Sequence, residues 1–542
     1  MSPTIVMHAE VALAIARFVA APDDVVRYLR ALPPSWMNAT LMALLSLLET
    51  AFPPWVWPVP WVDGLGPEAA NTISTALPAF SAVRLTSGMD QCPLALLPET
   101  AVALDIVGTW NEVPCDRISY AVQDLSAALG PRPDAIVELS LQLLGLYDDL
   151  ASQCRILASC VNVRCAQLTW LPEGVESSLD PLVETLGSWP RLAAVHLIVP
   201  CAESYAPNAL CAWLASSTVS SVALDDMRFT PSAAEVLVDA LFASATLARL
   251  ALRHTPVVAS ALFRPARRWP PSLQSLKLAL AVDECMPMFA VSQLRTAKLQ
   301  SVNISSNGLV YNAEVICTLL EIPTLTLLAL RPMVVHCSLP QVSLHRLRHL
   351  DLAGAAFNSA AFASIVALLH STSELETLGL RRTELTTGQF ASLVDAVGLW
   401  MGRCGTHLDL SATSLGAAAP RGWAKAASAA LPALFRSRVA LLASALPSMG
   451  KCQTVSFDLR ENRLPLDAAK ALVTALRHSQ NVVLDLADTG RFAVHMPEVE
   501  AHARQLGVRV VASSFRGQVF AAPGTPISYH CTRDHPDILL DL

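Results

Sequence analysis

An apolar pattern of the form L-x-x-L-x-L returns through this 542-residue chain at intervals of 22 to 28 residues. Its six clearest copies begin at residues 247, 273, 299, 325, 347 and 375. Each copy is apolar at its first, fourth and sixth positions, as in "LRHLDLAGAAF" (347–357). One such segment cannot bury its own apolar side, so many copies must stack on one another. The repeat therefore predicts a solenoid rather than a single closed core.

Fainter copies extend the series in both directions. They begin at residues 80, 101, 136, 165, 192 and 219 upstream and at 405, 454 and 481 downstream. In a short strand, positions four and six point to the interior, and position five points to the opposite face. Position nine carries an Asn or Thr, whose side chain can bond open backbone groups at a turn. These are Asn307, Asn462, Thr109, Thr255, Thr383, Thr413 and Thr489.

A helical period follows each strand. In 466–479, for example, the apolar residues Leu466, Ala469, Leu472, Val473 and Leu476 share one helix face. A strand and a helix per repeat predict an α/β leucine-rich-repeat horseshoe with a parallel inner sheet and outer helices. The pattern resembles the ribonuclease-inhibitor-like class of leucine-rich repeats, and this resemblance implies protein binding. We expect the repeats to occupy 80–515, with a helical insertion at about 416–450 and a C-terminal tail at 516–542.

The first fifty residues lack the repeat and show short amphipathic helical patterns instead. Their segment "AEVALAIARFVAAPDDVVRYLRALPPSW" (9–36) resembles an F-box, although His8-Ala9 and the residues before Trp36 depart from that family's pattern. The resemblance implies a small all-α F-box-like unit at 1–50 that docks on a Skp-type adaptor of cullin ubiquitin ligases. The implied adaptor-binding residues are Val11, Ile15, Phe18, Val19, Val25 and Leu29. The alternative is a helical cap on the solenoid.

The stretch "AFPPWVWPVPW" (51–61) separates the helices from the first repeat. Its four prolines keep the chain extended and forbid helix. Because the open end of a solenoid needs a cover, we interpret 51–79 as a joint and N-terminal cap whose tryptophans plug that end. An exposed aromatic binding patch is the alternative.

Charged residues recur at positions five and seven of the later repeats, on the predicted concave face. Such columns suit recognition of a protein by charge complementarity, although the two columns could instead simply neutralise each other. The predicted partner-binding residues are Asp351, Asp409, Asp458, Asp485, Arg253, Arg331, Arg381 and Arg460. Earlier in the series, position five holds Arg84, Asp105, Ser140, Thr169, His196 and Ala223.

Composition narrows the function further. The chain is 53% hydrophobic, but the apolar run 31–48 contains Pro33-Pro34 and is shorter than the roughly 20 residues that a spanning helix needs. The N-terminus lacks the basic start of a secretory signal, and the 13 cysteines include no C-x-x-C pair, so we expect free thiols in the cytoplasm or nucleus. A net charge of −7 disfavours nucleic acid as the main partner.

Motifs for catalysis, metal binding and cofactor binding are absent from the sequence. "HAE" (8–10) and Cys115 lack the second cysteine of a zinc deaminase, and "SMGKC" (448–452) lacks the glycine and hydroxyl residue of a phosphate-binding loop. We therefore expect no enzyme, cofactor or metal. The sequence favours a substrate-recognition subunit of a cullin-type ubiquitin ligase, and the alternative is a non-ligase scaffold or inhibitor-like protein binder.

Overall fold

The computed structural model describes the chain in segments that form two compact units, Met1–Leu247 and Ala248–Asp541. The described residues are 3–19, 22–49, 57, 59, 60, 62, 67–85, 100–105, 125–145, 150–172, 180–200, 207–264, 269–280, 294, 297–306, 313–331, 334–335, 346–413, 415, 431–462, 464–486, 495–512 and 518–522.

The first unit begins with helices that pack on one another. Their core consists of small and branched apolar side chains, among them Ala12, Ala16, Val25, Leu29 and Leu44, all nearly inaccessible to solvent. The first helix starts at Pro3, because proline is tolerated in the first turn of a helix. The bounds are α1 Pro3–Phe18, α2 Pro22–Ala31, α3 Ala39–Glu49 and α4 Pro67–Ala76, with 3-10 turns at Pro34–Trp36 and Leu77–Ala79.

Parallel strands and intervening helices make up the rest of the first unit, as the repeat predicts. Position-four and position-six side chains such as Leu139 and Leu141 are buried between sheet and helices. The strands are β1 Ala82–Leu85, β2 Ala101–Asp105, β3 Ile136–Gly145, β4 Cys165–Pro172, β5 Ala194–Ile198 and β6 Ser221–Asp225. The helices are α5 Leu125–Leu129, α6 Leu150–Leu157, α7 Asp180–Gly187, α8 Asn208–Ser216 and α9 Pro231–Ala243, with a 3-10 turn at Pro133–Ala135.

Strand pairing corrects two of the sequence alignments in this unit. Arg84 lies beside Ala103, not Asp105, and Ser140 lies beside Gln167, not Thr169. Both errors are shifts of two residues, which leave a side chain on the same face of the sheet. The β4 segment alternates Ala166, Leu168 and Trp170 on its buried side, so its apolar pattern alone fits either register.

The second unit continues the same construction. Its parallel sheet runs in the order β7 Arg249–Arg253, β8 Ser275–Leu280, β9 Ser301–Ser306, β10 Leu327–Arg331, β12 His349–Asp351, β14 Thr377–Gly379, β15 His407–Asp409, β16 Val455–Asp458 and β17 Val482–Asp485. A separate parallel pair joins β11 Val334–Val335 to β13 Ala356–Phe357. The helices are α10 Pro256–Leu262, α11 Ala313–Leu320, α12 Ser359–Ser371, α13 Thr387–Met401, α14 Leu431–Ala445, α15 Leu466–Leu476 and α16 Met496–Gln505, with a 3-10 turn at Leu446–Ser448.

The chain turns at the same two positions after many of the strands. At position eight the backbone is left-handed, with φ between 48° and 71°, in Asp226, His254, Gly354, Arg382, Ala412 and Glu461. At position nine, the buried Asn462 donates its amide to the carbonyls of Leu410 (2.7 Å) and Leu459 (3.0 Å) and accepts from the Leu415 amide (3.1 Å). The predicted turn role is thus confirmed for Asn462, whereas Thr109, Asn307 and Thr489 lie outside the described residues.

Two of the expected boundaries change. Helix α14 lies in the predicted insertion, but it packs between α13 and α15 and so fills the place of the ordinary repeat helix. Within the tail, β19 Gln518–Ala521 pairs antiparallel with β17 and also with β18 Arg509–Ala512. Residues after 515 therefore contribute a strand to the sheet of the second unit.

Both units are built as leucine-rich-repeat solenoid segments, with strands that pair in parallel and helices that follow them in sequence. Among the described residues, no helix has the length and apolar character needed to cross a membrane.

Candidate functional site

Helix α1 exposes a row of large apolar side chains, which we name the α1 stripe: Val11, Ile15 and Phe18. Their exposed fractions are 51%, 44% and 91%. Residues four and three apart lie on one side of a helix, so the three side chains form one surface. Ala12 and Ala16 lie on the buried side of the same helix.

The other three predicted adaptor contacts are placed differently. Val19 is half-buried, and its amide donates to the Ala16 carbonyl at the end of α1. Val25 and Leu29 are fully buried in the helical core. The sequence pattern places both residues on the apolar face of α2. That face packs against α3, so the two side chains stabilise the contact between the helices instead of facing a partner.

Trp57 connects the helices to the first strand of the repeats. Its indole is buried, donates to the Val19 carbonyl at 2.8 Å and lies 5.9 Å from the Phe80 ring. The backbone of Pro60 and Val62 bonds that of Arg84 on β1, at 2.8 and 3.1 Å. Pro60 and Val62 therefore lie beside β1. Trp55 and Trp61 lie outside the described residues.

The predicted aspartates align along the second unit's sheet, and we call them the aspartate row: Asp351, Asp409, Asp458 and Asp485. Strand pairing places Asp351 beside Gly379, Gly379 beside Asp409, Asp409 beside Asp458, and Asp458 beside Asp485. The sequence alignment of position five is therefore right throughout β12 to β17. We call the side of the sheet that carries positions three, five and seven the position-five face.

Three of these carboxylates also accept a backbone hydrogen bond at the end of their own strands. Oδ1 of Asp351, Asp409 and Asp458 accepts from the backbone amide two residues further along, at 2.9, 2.8 and 3.0 Å. This local bond satisfies an amide that the turn removes from the sheet. The aspartates are thus partly architectural, as the "LDL" form of the repeat requires.

The predicted arginines engage these acids unequally. Arg460 makes a forked contact with Asp458 (Nε to Oδ2 2.9 Å, Nη2 to Oδ2 2.6 Å) and reaches Asp485 at 3.9 Å. Arg331 pairs with Asp351. Arg253 is half-buried on β7, where its register neighbour is Ala279.

Arg381 pairs with an acid that the sequence did not single out. Its Nη2 lies 2.6 Å from Oε1 of Glu461, and the neighbouring Arg382 lies 3.8 Å from the same carboxylate. Glu461 occupies position eight of its repeat. Position eight lies in a left-handed turn whose path is not evident from the sequence. The residues at positions five and seven alone therefore could not predict this ion pair.

Two histidines at position three were also missed. Nδ1 of His349 lies 2.8 Å from Oγ1 of Thr377, and Nδ1 of His407 lies 2.7 Å from Oγ of Ser456. The signal was present in "LRHLDL" and "GTHLDL". The same hydroxyl–imidazole pair therefore occurs twice, between β12 and β14 and between β15 and β16.

The position-five side chains differ in exposure along the sheet of the second unit, where Ala251 on β7 is partly exposed. Lys277, Asn303 and Ala329 are at most 8% exposed, and Asp458 and Asp485 are 3% and 2% exposed. Asp351, Gly379 and Asp409 lie between them and are partly exposed. We name this partly exposed stretch of β12, β14 and β15 the three-strand window.

Asp409 is the electrostatically strained member of the row. Burial, followed by the charge of Asp458, raises the pKa of the Asp409 carboxyl above its ordinary value, and hydrogen bonds from Ser411 and the charge of Arg381 only partly oppose this rise. An acid whose pKa is raised gains from any added positive charge nearby.

Comparisons with known proteins return distant similarity. No protein-family model matches this chain, and no curated protein matches it. The chain is similar to one in the crystal structure of the Rad7 and Elc1 complex in yeast, with 15% identity and a TM-score of 0.40 over 63% of this chain and 83% of that one. It is also similar to an internalin (InlF) from Listeria monocytogenes str. 4b F2365, with 13% identity and a TM-score of 0.31 over 65% and 79%. Similarity at this level has no bearing on function.

Proposed function

We propose that this chain is a protein-interaction receptor that serves as a substrate-recognition subunit of a cullin-type ubiquitin ligase. The α1 stripe would bind a Skp-type adaptor, and the position-five face of the repeats would bind the target protein. The observation that carries the proposal is the exposure of Val11, Ile15 and Phe18 on one side of α1, while Ala12 and Ala16 on the other side are fully buried.

The energetics favour a partner for this stripe. Burial of one large apolar side chain stabilises an interface by about 1.5–3 kcal/mol, and Phe18 is 91% exposed in the chain alone. Aromatic residues at the centre of an interface supply much of its binding energy. The stripe also coincides with positions that the F-box resemblance assigns to adaptor contact.

Point substitution in the stripe tests this proposal. We expect the Ile15→Asp, Phe18→Asp double variant to lose binding to a purified Skp-type adaptor at least tenfold in a pull-down of the full chain. Val236→Asp is the matched control, since Val236 is 48% exposed on α9. It should bind like the wild type. Circular dichroism should show equal helix content in all three proteins.

Two results would contradict the proposed ligase role. If the wild type binds no Skp-type adaptor, or if Val236→Asp lowers binding as much as the stripe variant does, then the ligase role is wrong. The second candidate is then a non-ligase leucine-rich-repeat scaffold or inhibitor-like binder. The burial of Val25 and Leu29 and the bond from Trp57 to Val19 favour it, because they suit helices that cap the repeats.

The proposal assigns this chain no catalytic step, cofactor or metal of its own. It also places the chain in the cytoplasm or nucleus. The free, buried thiols of Cys154 and Cys160 support a reducing compartment, and burial raises the pKa of the Cys160 thiol to about 11, which keeps it protonated and unreactive.

A further inference from the structure

The last turn of α1 is bonded from outside the helix. Phe18 ends this helix and is 91% exposed, yet the residues on both sides of it contact the chain that leads into β1. The Arg17 guanidinium donates to the carbonyl of Pro78, in the 3-10 turn before β1. The Val19 carbonyl accepts from the Trp57 indole at 2.8 Å. The end of α1 is therefore connected to the start of the repeats at two points.

Trp57 is a well-anchored donor for this bond. Its side chain is 3% exposed, and its ring lies 5.9 Å from that of Phe80, which is 5% exposed. Further along the same segment, Pro60 and Val62 exchange backbone hydrogen bonds with Arg84 on β1, at 2.8 and 3.1 Å. The donor is thus held by a buried aromatic contact and by chain that pairs with a strand, all within one compact unit.

The end of a helix needs such an anchor more than its middle does. Backbone carbonyls at a helix C-terminus lack intrahelical partners, and helix ends fray. Ala12 and Ala16 hold the middle of α1 by burial, but Phe18 lies beyond them in the last turn. A side chain that has to be ordered during binding loses affinity, whereas one that is ordered beforehand does not. The position of Phe18 before binding therefore depends on the contacts of its two neighbours.

We propose that Trp57 is a positioning residue for the α1 stripe. Through the Val19 carbonyl it holds the last turn of α1, and with it Phe18, in the orientation in which the stripe binds its partner. This inference deepens the proposed function and rests on it, because the partner is the Skp-type adaptor. Since Trp57 is 3% exposed, its effect on binding passes through the backbone of α1 and not through contact with the adaptor.

Removal of the indole N–H tests this role. Trp57→Phe keeps an aromatic ring against Phe80 and removes the donor to Val19. We expect it to weaken the affinity of the full chain for a purified Skp-type adaptor at least threefold, measured by isothermal titration calorimetry. Trp189→Phe is the matched control, since that indole is also 3% exposed and donates to the Leu157 carbonyl at 3.1 Å within the repeats of the same unit. It should bind like the wild type.

A double-mutant cycle separates positioning from a general structural effect. In a Phe18→Ala background, Trp57→Phe should cause no further loss of affinity, because the side chain that it positions is gone. In an Ile15→Ala background, the threefold loss should remain, because Ile15 lies one turn earlier in α1. A loss of the same size in both backgrounds would show that Trp57 only stabilises the fold, and it would overturn the inference.

Hydrogen exchange tests the anchor without any partner. We expect the amides at the end of α1 (13–19) to exchange at least threefold faster in Trp57→Phe and at the wild-type rate in Trp189→Phe, measured by mass spectrometry on the full chain. Unchanged exchange in Trp57→Phe, or wild-type adaptor affinity in this variant, overturns the inference. If exchange rises as expected but the wild type binds no adaptor, the anchor is supported and the ligase proposal alone fails.

Discussion

A single aspartate at position five performs two tasks in this protein. It accepts the backbone amide two residues later and so ends the strand, as in Asp351, Asp409 and Asp458. It also places a carboxylate beside the next strand's position-five residue. Where an arginine pairs with the carboxylate, as Arg460 does with Asp458, the second task costs little folding free energy, because the charges are paired. At Asp409 the charge is not compensated in the same way.

This difference predicts a pH dependence. The folded-state pKa of Asp409 is raised, first by burial and then by Asp458, so its contribution to stability is greatest below its ordinary pKa of 3.8 and is lost as the pH rises through the raised value. The Asp409→Asn side chain does not ionise, so the variant does not lose this stability as the pH rises. At pH 7 we expect the variant to be more stable by about 0.2–1 kcal/mol, the cost of like charges opposite each other in a sheet.

The measurement is urea denaturation of wild type and variant between pH 3 and pH 7. The difference between their free energies of unfolding should grow with pH. Asp395→Asn, which lies on a helix surface, should give a difference that does not change with pH. A wild type that stays more stable than Asp409→Asn at pH 7 would show that the carboxylate's local bonds outweigh the repulsion.

At the scale of the element, short polar residues begin several helices of the repeats. The side chains of Thr230, Asn358 and Thr386 accept from the amides of Ala233, Ala361 and Gln389. Helix α15 instead follows Pro465 and has no side-chain cap. A Thr before a helix is not sufficient for such a cap, since Thr255 precedes α10 without a side-chain cap bond.

Helix α13 offers the sharpest test of such a cap. The Thr386 hydroxyl accepts a hydrogen bond from the backbone amide of Gln389 at 3.2 Å. In return, the side-chain Oε1 of Gln389 accepts one from the backbone amide of Thr386 at 2.8 Å. Thr386→Ala should destabilise the second unit by about 1 kcal/mol, measured by urea denaturation. Thr386→Ser keeps the hydroxyl and should cost less than half as much. Equal losses would mean that the methyl group, not the cap, stabilises this turn.

At the scale of the whole molecule, the question is how a stack of repeats closes its ends, since an uncovered end exposes both apolar surface and unpaired backbone. In the first unit, Trp57 and the backbone of Pro60 and Val62 lie against the first strand region. In the second unit, β19 inserts antiparallel beside β17, and Phe520 is completely buried. Each unit thus covers an edge with chain from outside its repeats.

The C-terminal strand should therefore matter for stability. Phe520→Ala removes a fully buried ring and should lower the free energy of unfolding by about 3–5 kcal/mol, with loss of the second unit's cooperative melting. Phe18→Ala makes the same change at a side chain that is 91% exposed, and it should cost less than about 0.5 kcal/mol. Similar melting of both variants would show that β19 is dispensable.

Local pattern was enough to predict the strands, the helices that follow them, the turn role of Asn462 and the alignment of the aspartate row. The sequence pattern that predicts them spans about ten residues and returns along the chain. The local pattern gave the wrong register at Thr169 in β4, because one apolar alternation fits two registers there. It was also wrong at α14, which it predicted to be an inserted helix.

Contacts between distant segments decided the rest. Val25 and Leu29 became core while Phe18 stayed exposed, because which apolar face is buried depends on the neighbouring helix and not on periodicity. Glu461 met Arg381 across 80 residues of sequence, and the terminal strand entered the sheet beside β17. The sequence by itself determined what one repeat is, because that is a matter of local periodicity. Only the tertiary structure decided which of its charges are paired, which are buried and which remain open to a partner, because those properties belong to the stack.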